Sequence, residues 1–166
     1  MPDTPYLWYF AYGSNMNPAR LFEERMAGAR VGWGRRIAGR LEGWQLAFNK
    51  PWSRFEGASV ANIMQSPHGI VHGTLNEIEP DGLDVLDRFE GVAGGHYRRH
   101  PVTVLTRDGA AISAITYVSR YKLTNGLKPA RDYVAHLIAG RDLLPPDYVA
   151  MLERIPTVRL PPEKAL

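Results

Sequence analysis

The chain has 166 residues, with 20 lysines and arginines against 17 aspartates and glutamates, and so a formal net charge of +3. Its 45% apolar and 22% charged residues are typical of a globular protein, and a chain of this length can bury about 70% of its unfolded surface. The lack of cysteine excludes a disulfide scaffold, a thiol nucleophile and thiolate metal ligands. We expect one domain over residues 1–166 and, because neither a signal peptide nor a membrane-spanning apolar stretch is present, a cytoplasmic location.

The first half of the chain predicts strands, with one helix after the first of them. Asn17 and Pro18 supply an N-cap side chain and a proline for the first helical position, so a helix runs from there to about residue 26. Before this helix come a short polar leader (1–5), a buried aromatic strand (7–11) and a turn (12–16). After it come strand-like pieces between glycines (31–48), an irregular loop (50–57) and two strands (59–65 and 69–78) separated by the turn residues Ser66 and Pro67.

The second half predicts a hairpin and three helices. The hairpin joins strands over 97–106 and 111–118 around Asp108 and Gly109, a typical turn pair. The helices begin at Pro80, Lys128 and Asp147 and end at about residues 91, 139 and 155. Strands and helices do not alternate regularly, so the fold class is α+β, with an antiparallel or mixed sheet curled toward a barrel.

Glu90 is the first candidate for chemistry. It lies seven residues after Leu83 and four after Leu86, which places it on the apolar stripe (Leu83, Val85, Leu86 and Phe89) of its helix. Burial, the negative end of the helix dipole and the nearby charge of Asp87 would each raise its pKa. A raised pKa suits proton transfer near neutral pH, whereas the alternative is a frayed helix end that lets Glu90 reach water.

The turn Tyr12-Gly13-Ser14-Asn15 is the second candidate. Glycine lets the backbone approach a ligand closely, and the N–H groups of such a turn can face a carboxylate or a developing oxyanion. The alternative is a simple connection between strand and helix. Neither a dinucleotide-binding nor a phosphate-loop motif occurs, and Ser14 lacks the sequence context of a serine nucleophile.

Metal and nucleic-acid binding have weaker support. The histidine pairs His68/His72 and His96/His100 fall in turn and strand segments, where four residues span about 13 Å, too far for one zinc ion. Basic clusters at 30–40 and 98–100 could follow a phosphate backbone, but acidic residues flank the first and the net charge is modest. We expect no metal, nucleic acid or membrane among the partners, and the sequence makes no prediction of oligomeric state.

Three segments together resemble a known family. They are YFAYGSNMN (9–17), VANIMQSPHGIVHGTL (60–75) and LDRFEGVAGGHY (86–97), and the likeness continues through residues 129–156. The chain resembles the gamma-glutamylcyclotransferase family, also grouped with the AIG2-like proteins. The resemblance implies a small, mixed, mostly antiparallel β-barrel flanked by helices. It also implies a cofactor-independent enzyme that releases 5-oxoproline from gamma-glutamyl compounds.

The resemblance also assigns site residues. It implies that Glu90 is the acid/base, that the first strand and the following turn bind the gamma-glutamyl group, and that two tyrosines line the pocket wall. The implied substrate-binding residues are Tyr9, Phe10, Ala11, Tyr12, Gly13, Ser14, Asn15, Tyr97 and Tyr133. Two alternatives remain open: a relative that acts on a gamma-glutamyl amine or metabolite, and a non-catalytic module that binds such ligands. A catalytic role for Asp87 or Tyr133 also stays open.

Overall fold

Five strands close into a mixed barrel in a computed structural model that describes residues 5–161; most of the predicted leader (1–4) and the last five residues lie outside this range. The strands are β1 (Leu7–Ala11), β2 (Trp33–Pro51), β3 (Ala58–Ile78), β4 (Arg98–Leu105) and β5 (Ala111–Val118). Around the ring their order is β1-β5-β4-β2-β3, and β3 returns to β1. Only the β1–β5 pair within this ring is parallel. This architecture confirms the predicted fold class.

Within the described residues, four helices of eight or more residues and a short sixth strand accompany the barrel. The helices are a π-helix (Ala19–Met26), α1 (Asp81–Phe89), α2 (Arg131–Ile138) and α3 (Pro146–Glu153), and the strand is β6 (Lys128–Pro129), which is parallel to β3. Asn17 caps the π-helix as expected, because its Oδ1 accepts a hydrogen bond from the Ala19 N–H at 3.1 Å. No helix within residues 5–161 is long and apolar enough to cross a membrane.

Phe10 occupies the barrel interior, where it is fully buried. Gly39 of β2 and Gly73 of β3 lie directly opposite each other in the antiparallel β2–β3 pair. A Cβ atom on either glycine would come within 3.2 Å of the Phe10 ring. The two glycines therefore leave the space that the phenylalanine fills, and β1 is held at the centre of the fold.

The predicted break at Ser66 and Pro67 is wrong. Residues 59–65 and 69–78 belong to one strand, β3, which pairs with β2 along its length. Ser66 and Pro67 lie in a register shift opposite Gly43, whose φ is +85°. The error has a physical reason, because a β-bulge favours the same residue types as a turn but lets the strand continue.

The predicted helix start at Lys128 is also wrong. Lys128 and Pro129 are extended and pair with Ala58 and Ser59, and α2 begins only at Arg131. The residue before a proline disfavours the helical region, which keeps Lys128 extended. This extended start fixes α2 against β3, next to the cavity described below.

Candidate active site

One cavity of about 560 Å³ gathers the segments that the sequence singled out. Its walls come from the end of β1 and the following turn, the π-helix, the end of β2, the start of β3, the end of α1 and single side chains near β4, β5 and α2. The lining residues that matter below are Tyr9, Tyr12, Gly13, Ser14, Asn15, Arg20, Arg25, Lys50, Ala61, Glu90, His96, Tyr97, Tyr117 and Tyr133.

Glu90 lies at the carboxyl end of α1 and lines this cavity. Its N–H donates to the Leu86 carbonyl at 2.8 Å, so the last helical turn is closed rather than frayed. Burial raises the pKa of Glu90 to about 7, although Arg25 and Arg20 act in the opposite direction. A carboxyl group with this pKa can both accept and return a proton near neutral pH.

The predicted contributions of Asp87 and Phe89 are not found. Asp87 accepts two hydrogen bonds from Arg99, at 2.9 and 2.6 Å, and one from the Tyr117 hydroxyl at 2.6 Å. The hydrogen bonds from Arg99 lower the pKa of Asp87. Arg99 also neutralises the charge of Asp87, so this charge does not raise the pKa of Glu90. Phe89 is 56% exposed, and the Arg25 guanidinium lies 4.3 Å above its ring.

The turn after β1 presents unused backbone donors. Ser14–Met16 form a single 3₁₀ turn, whose two hydrogen bonds use the N–H groups of Met16 and Asn17. Within residues 5–161 the N–H groups of Gly13, Ser14 and Asn15 donate to no backbone carbonyl. They are the free donors expected at the start of a helical turn, and such donors suit an anionic group.

Buried side chains hold this turn in place. The Tyr12 hydroxyl donates to the Tyr117 carbonyl at 2.5 Å. Asn15 Nδ2 donates to the Tyr9 hydroxyl at 3.0 Å, and Arg25 Nη1 donates to Asn15 Oδ1 at 2.7 Å. The Asn15 side chain thus connects β1 to the π-helix instead of closing its own loop.

Tyr97 and Tyr133 hold the opposite wall at the peptide groups of Ala61. The Tyr97 hydroxyl donates to the Ala61 carbonyl at 2.6 Å, and the Tyr133 hydroxyl accepts from the Ala61 N–H at 3.0 Å. Burial raises the pKa of Tyr133 to about 12, so its hydroxyl keeps a proton to donate. A Cβ on Gly13 would lie 3.1 Å from the Tyr133 oxygen, which explains the glycine at this position.

Two predicted residues lie elsewhere. The side chains of Phe10 and Ala11 do not line the cavity and are at most 1% exposed. Their part is indirect: the Phe10 carbonyl accepts from the Thr116 hydroxyl at 2.8 Å, which fixes the strand that carries the turn. The other eight predicted residues all line the cavity.

Sequence reasoning missed the cations of the cavity wall. Arg20 and Arg25 come from the π-helix, and Lys50 from the end of β2. Positions five apart share a face on a π-helix but not on an α-helix, so the α-helical pattern used for the prediction separates the two arginines. Lys50 gave no signal because it stands at the edge of a segment predicted to be a loop.

Several of the histidines and clustered arginines have partners within the protein. His72 packs edge-on against Tyr148, His100 against Trp44, and His96 accepts a hydrogen bond from Lys50. Within residues 5–161 no three histidine or acidic side chains come together as a metal site would require. The arginines at 35, 36 and 40 are paired with Glu77, Asp142 and Glu42.

Comparisons with known proteins agree on one family. The model of the AIG2-like family matches residues 70–152, which is half of the chain. The gamma-glutamylcyclotransferase of Homo sapiens is 27% identical over 157 residues, covering 93% of this chain and 81% of that protein. The protein of the same name from Bos taurus is 29% identical over 154 residues, covering 89% and 77%.

Structural comparison gives the same answer. A solved structure named gamma-glutamyl cyclotransferase superposes with a TM-score of 0.81 at 25% identity, covering 94% of this chain and 91% of that one. The similarity thus extends over nearly the whole of both chains. The chain belongs to the AIG2-like family of gamma-glutamylcyclotransferase relatives.

Proposed function

We propose that this protein is a gamma-glutamylcyclotransferase, which converts a gamma-glutamyl amino acid or peptide into 5-oxoproline and a free amine. One observation carries the proposal: Glu90, a half-buried residue whose carboxyl group has its pKa raised to about 7, shares a cavity with the unused N–H groups of Gly13, Ser14 and Asn15. The activity of the similar proteins, as their names state it, supports the same reaction.

Glu90 acts first as a base in the proposed reaction. The α-amine of the substrate is an ammonium ion at neutral pH and must lose a proton before it is nucleophilic. Ionised Glu90 accepts this proton, and the amine then attacks the substrate's own γ-carbonyl carbon. Because nucleophile and carbonyl belong to one molecule, the protein gains most of its rate enhancement by holding the folded conformer.

The turn after β1 stabilises the intermediate. Attack places a negative charge on the γ-carbonyl oxygen, and backbone N–H groups fixed in a cavity stabilise such an oxyanion. We assign this role to the donors of residues 13–15. The intermediate then collapses: the bond between the γ-carbon and the leaving nitrogen breaks, and protonated Glu90 gives its proton to the departing nitrogen. The ring nitrogen, which still carries two protons after the attack, releases one of them to solvent, and the neutral five-membered lactam remains.

Substitution of Glu90 tests the proposal. We expect the wild-type protein to release 5-oxoproline from gamma-glutamyl substrates, and Glu90→Gln to lower kcat/KM by about 100-fold or more, as loss of a general acid/base does. The acidic limb of the wild-type pH profile should have its midpoint near pH 7, the pKa of Glu90. Mass spectrometry of 5-oxoproline provides the measurement.

Glu23→Gln is the matched control. It makes the same chemical change at an exposed glutamate on the π-helix that does not line the cavity. This variant should keep the wild-type rate. Wild-type turnover by folded Glu90→Gln, or no 5-oxoproline from any gamma-glutamyl substrate with the wild type, would refute the assignment.

A further inference from the structure

The cavity carries more positive charge than a gamma-glutamyl group requires. Seven charged side chains line it, and within residues 5–161 none of them forms an ion pair closer than 4.0 Å. Five are cations and two are carboxylates: Arg20, Arg25, Lys50, Arg54 and Arg88, and Glu24 and Glu90. The gamma-glutamyl group brings a single carboxylate and an amine. The cations of the lining therefore outnumber its carboxylates and the one of a gamma-glutamyl group taken together, and charge complementarity favours a further anion in the cavity.

Lys50 is the least exposed of these cations. Its side chain is buried, with 4% of its surface exposed, yet it lines the cavity. Its ammonium donates to His96 Nδ1 at 3.1 Å and lies 5.1 Å from the centre of the Tyr121 ring. An ammonium has three N–H donors, and in the described part of the chain the other two have no hydrogen-bond partner. A buried cation with free donors is costly unless a ligand engages it.

His96 fixes the direction of this ammonium. Its ring packs edge-on against Tyr121 at 5.1 Å, and its carbonyl accepts from the Ser119 hydroxyl at 2.5 Å. Because an ammonium can only donate, Nδ1 must carry the lone pair and Nε2 the proton. The histidine is therefore a neutral acceptor that holds Lys50 without neutralising its charge.

The same histidine connects Lys50 to Glu90. Gly91 follows Glu90 directly, and its carbonyl accepts a hydrogen bond from the His96 N–H at 3.1 Å. A Cβ on Gly91 would lie 2.9 Å from His96 Cδ2, so the ring packs against this peptide. His96 therefore lies beside the residue that follows Glu90, and Glu90, His96 and Lys50 line the same cavity.

We propose that Lys50, oriented by His96, is a specificity-determining residue that binds a carboxylate of the leaving amine. The inference rests on the proposed function and assigns a residue to its choice of substrate: Lys50 makes gamma-glutamyl compounds whose leaving group has a free carboxylate better substrates than those whose leaving group is neutral or cationic. The selection comes from one charged hydrogen bond, which the Lys50 ammonium donates to the carboxylate of the leaving amine.

Three substrates of similar size test the inference: gamma-glutamylglycine, its neutral glycinamide analogue and the cationic gamma-glutamylethylenediamine. We expect wild-type kcat/KM to be about tenfold or more higher for the carboxylate than for the amide, the range of a hydrogen bond between charged groups, and lowest for the cation. Lys50→Met keeps the length and apolar stem of the side chain and should bring the acid-to-amide ratio to within about threefold of unity. Thermal unfolding verifies that the variant is folded.

Lys122→Met is the matched control, because Lys122 also lies 5.1 Å from the Tyr121 ring but is exposed and does not line the cavity. It should keep the wild-type ratio. Equal turnover of all three substrates by the wild type, or an unchanged ratio in Lys50→Met, would overturn the subsite and leave the cyclotransferase reaction standing. No 5-oxoproline from any of the three would refute the reaction, and the subsite with it.

Discussion

At the scale of single residues, two carboxyl groups three positions apart at the end of α1 have pKa values that are shifted in opposite directions. Burial raises the pKa of Glu90 to about 7, whereas hydrogen bonds from Arg99 hold the pKa of Asp87 below its usual range. The difference comes from the hydrogen-bond partners of each group. Asp87 accepts from the guanidinium of Arg99 and the hydroxyl of Tyr117, whereas Glu90 lines the cavity. One helical turn thus supplies both a proton carrier and a fixed anchor.

The raised pKa of Glu90 predicts a stability cost above neutral pH. In the unfolded chain this carboxyl group ionises near pH 4.5, but in the folded protein it keeps its proton up to about pH 7. The folded state binds more protons between these values, so the free energy of unfolding falls as the pH rises through this window and levels off above it. The pKa shift corresponds to about 3 kcal/mol.

Glu90→Gln removes this titration. We expect the variant to gain stability over the wild type as the pH rises from 4.5 to 8, by up to about 3 kcal/mol. Urea denaturation of both proteins at several pH values measures the difference. A gap that stays constant across the range would mean that Glu90 titrates normally in the folded protein.

At the scale of elements, α1 is fixed to the barrel through Asp87. Arg99 of β4 and the Tyr117 hydroxyl of β5 both donate to its carboxylate, and the Tyr117 carbonyl accepts from Tyr12. Arg99 also donates to Asp84 at 3.1 Å. This network sets the distance between Glu90, at the end of α1, and the turn after β1, which makes Asp87 a positioning residue.

Asp87→Asn tests the anchor. We expect a loss of about 1–3 kcal/mol in stability at neutral pH, because charged hydrogen bonds to Arg99 are replaced by neutral ones. The depressed pKa of Asp87 means that its contribution exists above the ordinary value of 3.8 and is lost as the pH falls through the folded pKa, so the difference should close in acid. The substitution should lower kcat more than it changes KM, because the carboxyl group of Glu90 moves relative to the turn after β1.

Glu42→Gln is the control for this variant. It breaks the exposed Arg40–Glu42 pair, whose side chains are 40% and 56% exposed, and should cost at most about 1 kcal/mol with no effect on turnover. An equal effect of the two substitutions on stability and kcat would show that Asp87 is an ordinary surface carboxylate.

The elements show which features a sequence pattern can predict. β1, β4, β5 and α1 follow the predicted bounds to within one or two residues, because their local patterns agree with the fold. The sequence pattern instead predicts a break in β3 at Ser66 and Pro67, because a bulge and a turn favour the same residue types. Only the pairing of β3 with β2 distinguishes the two. Glu90 was located through its place on the apolar face, but Lys50 joins the cavity through long-range pairing, which no local pattern contains.

At the scale of the whole molecule, one tightly packed point lies where β1 pairs with β3. A Cβ on Gly73 would lie 2.2 Å from the Ala11 carbonyl oxygen and 2.8 Å from the Phe10 ring. The first of these contacts is with backbone, which cannot move without displacing β1. The barrel therefore requires a residue without a side chain at this position.

Gly73→Ala should be strongly destabilising. We expect a loss of about 3 kcal/mol, the upper range for overpacking, and a Tm lower by roughly 10 °C for a domain of this size. Gly28→Ala is the control, because a Cβ there meets nothing within 4 Å. Calorimetry compares the two, and a small, equal change would mean that β1 is free to shift.

The pairing of β1 with β5 has a consequence for the order of synthesis. The Phe10 carbonyl and the Tyr12 hydroxyl are held by residues 106 and 105 positions later in the chain. While the protein is being translated, β1 and the turn after it emerge early, but their hydrogen bonds to Thr116 and Tyr117 cannot form until β5 has left the ribosome. Contacts this far apart also close slowly. We therefore expect a nascent or truncated chain that stops before residue 116 to carry the turn but to show no activity, because the contacts that fix the turn to β5 are missing.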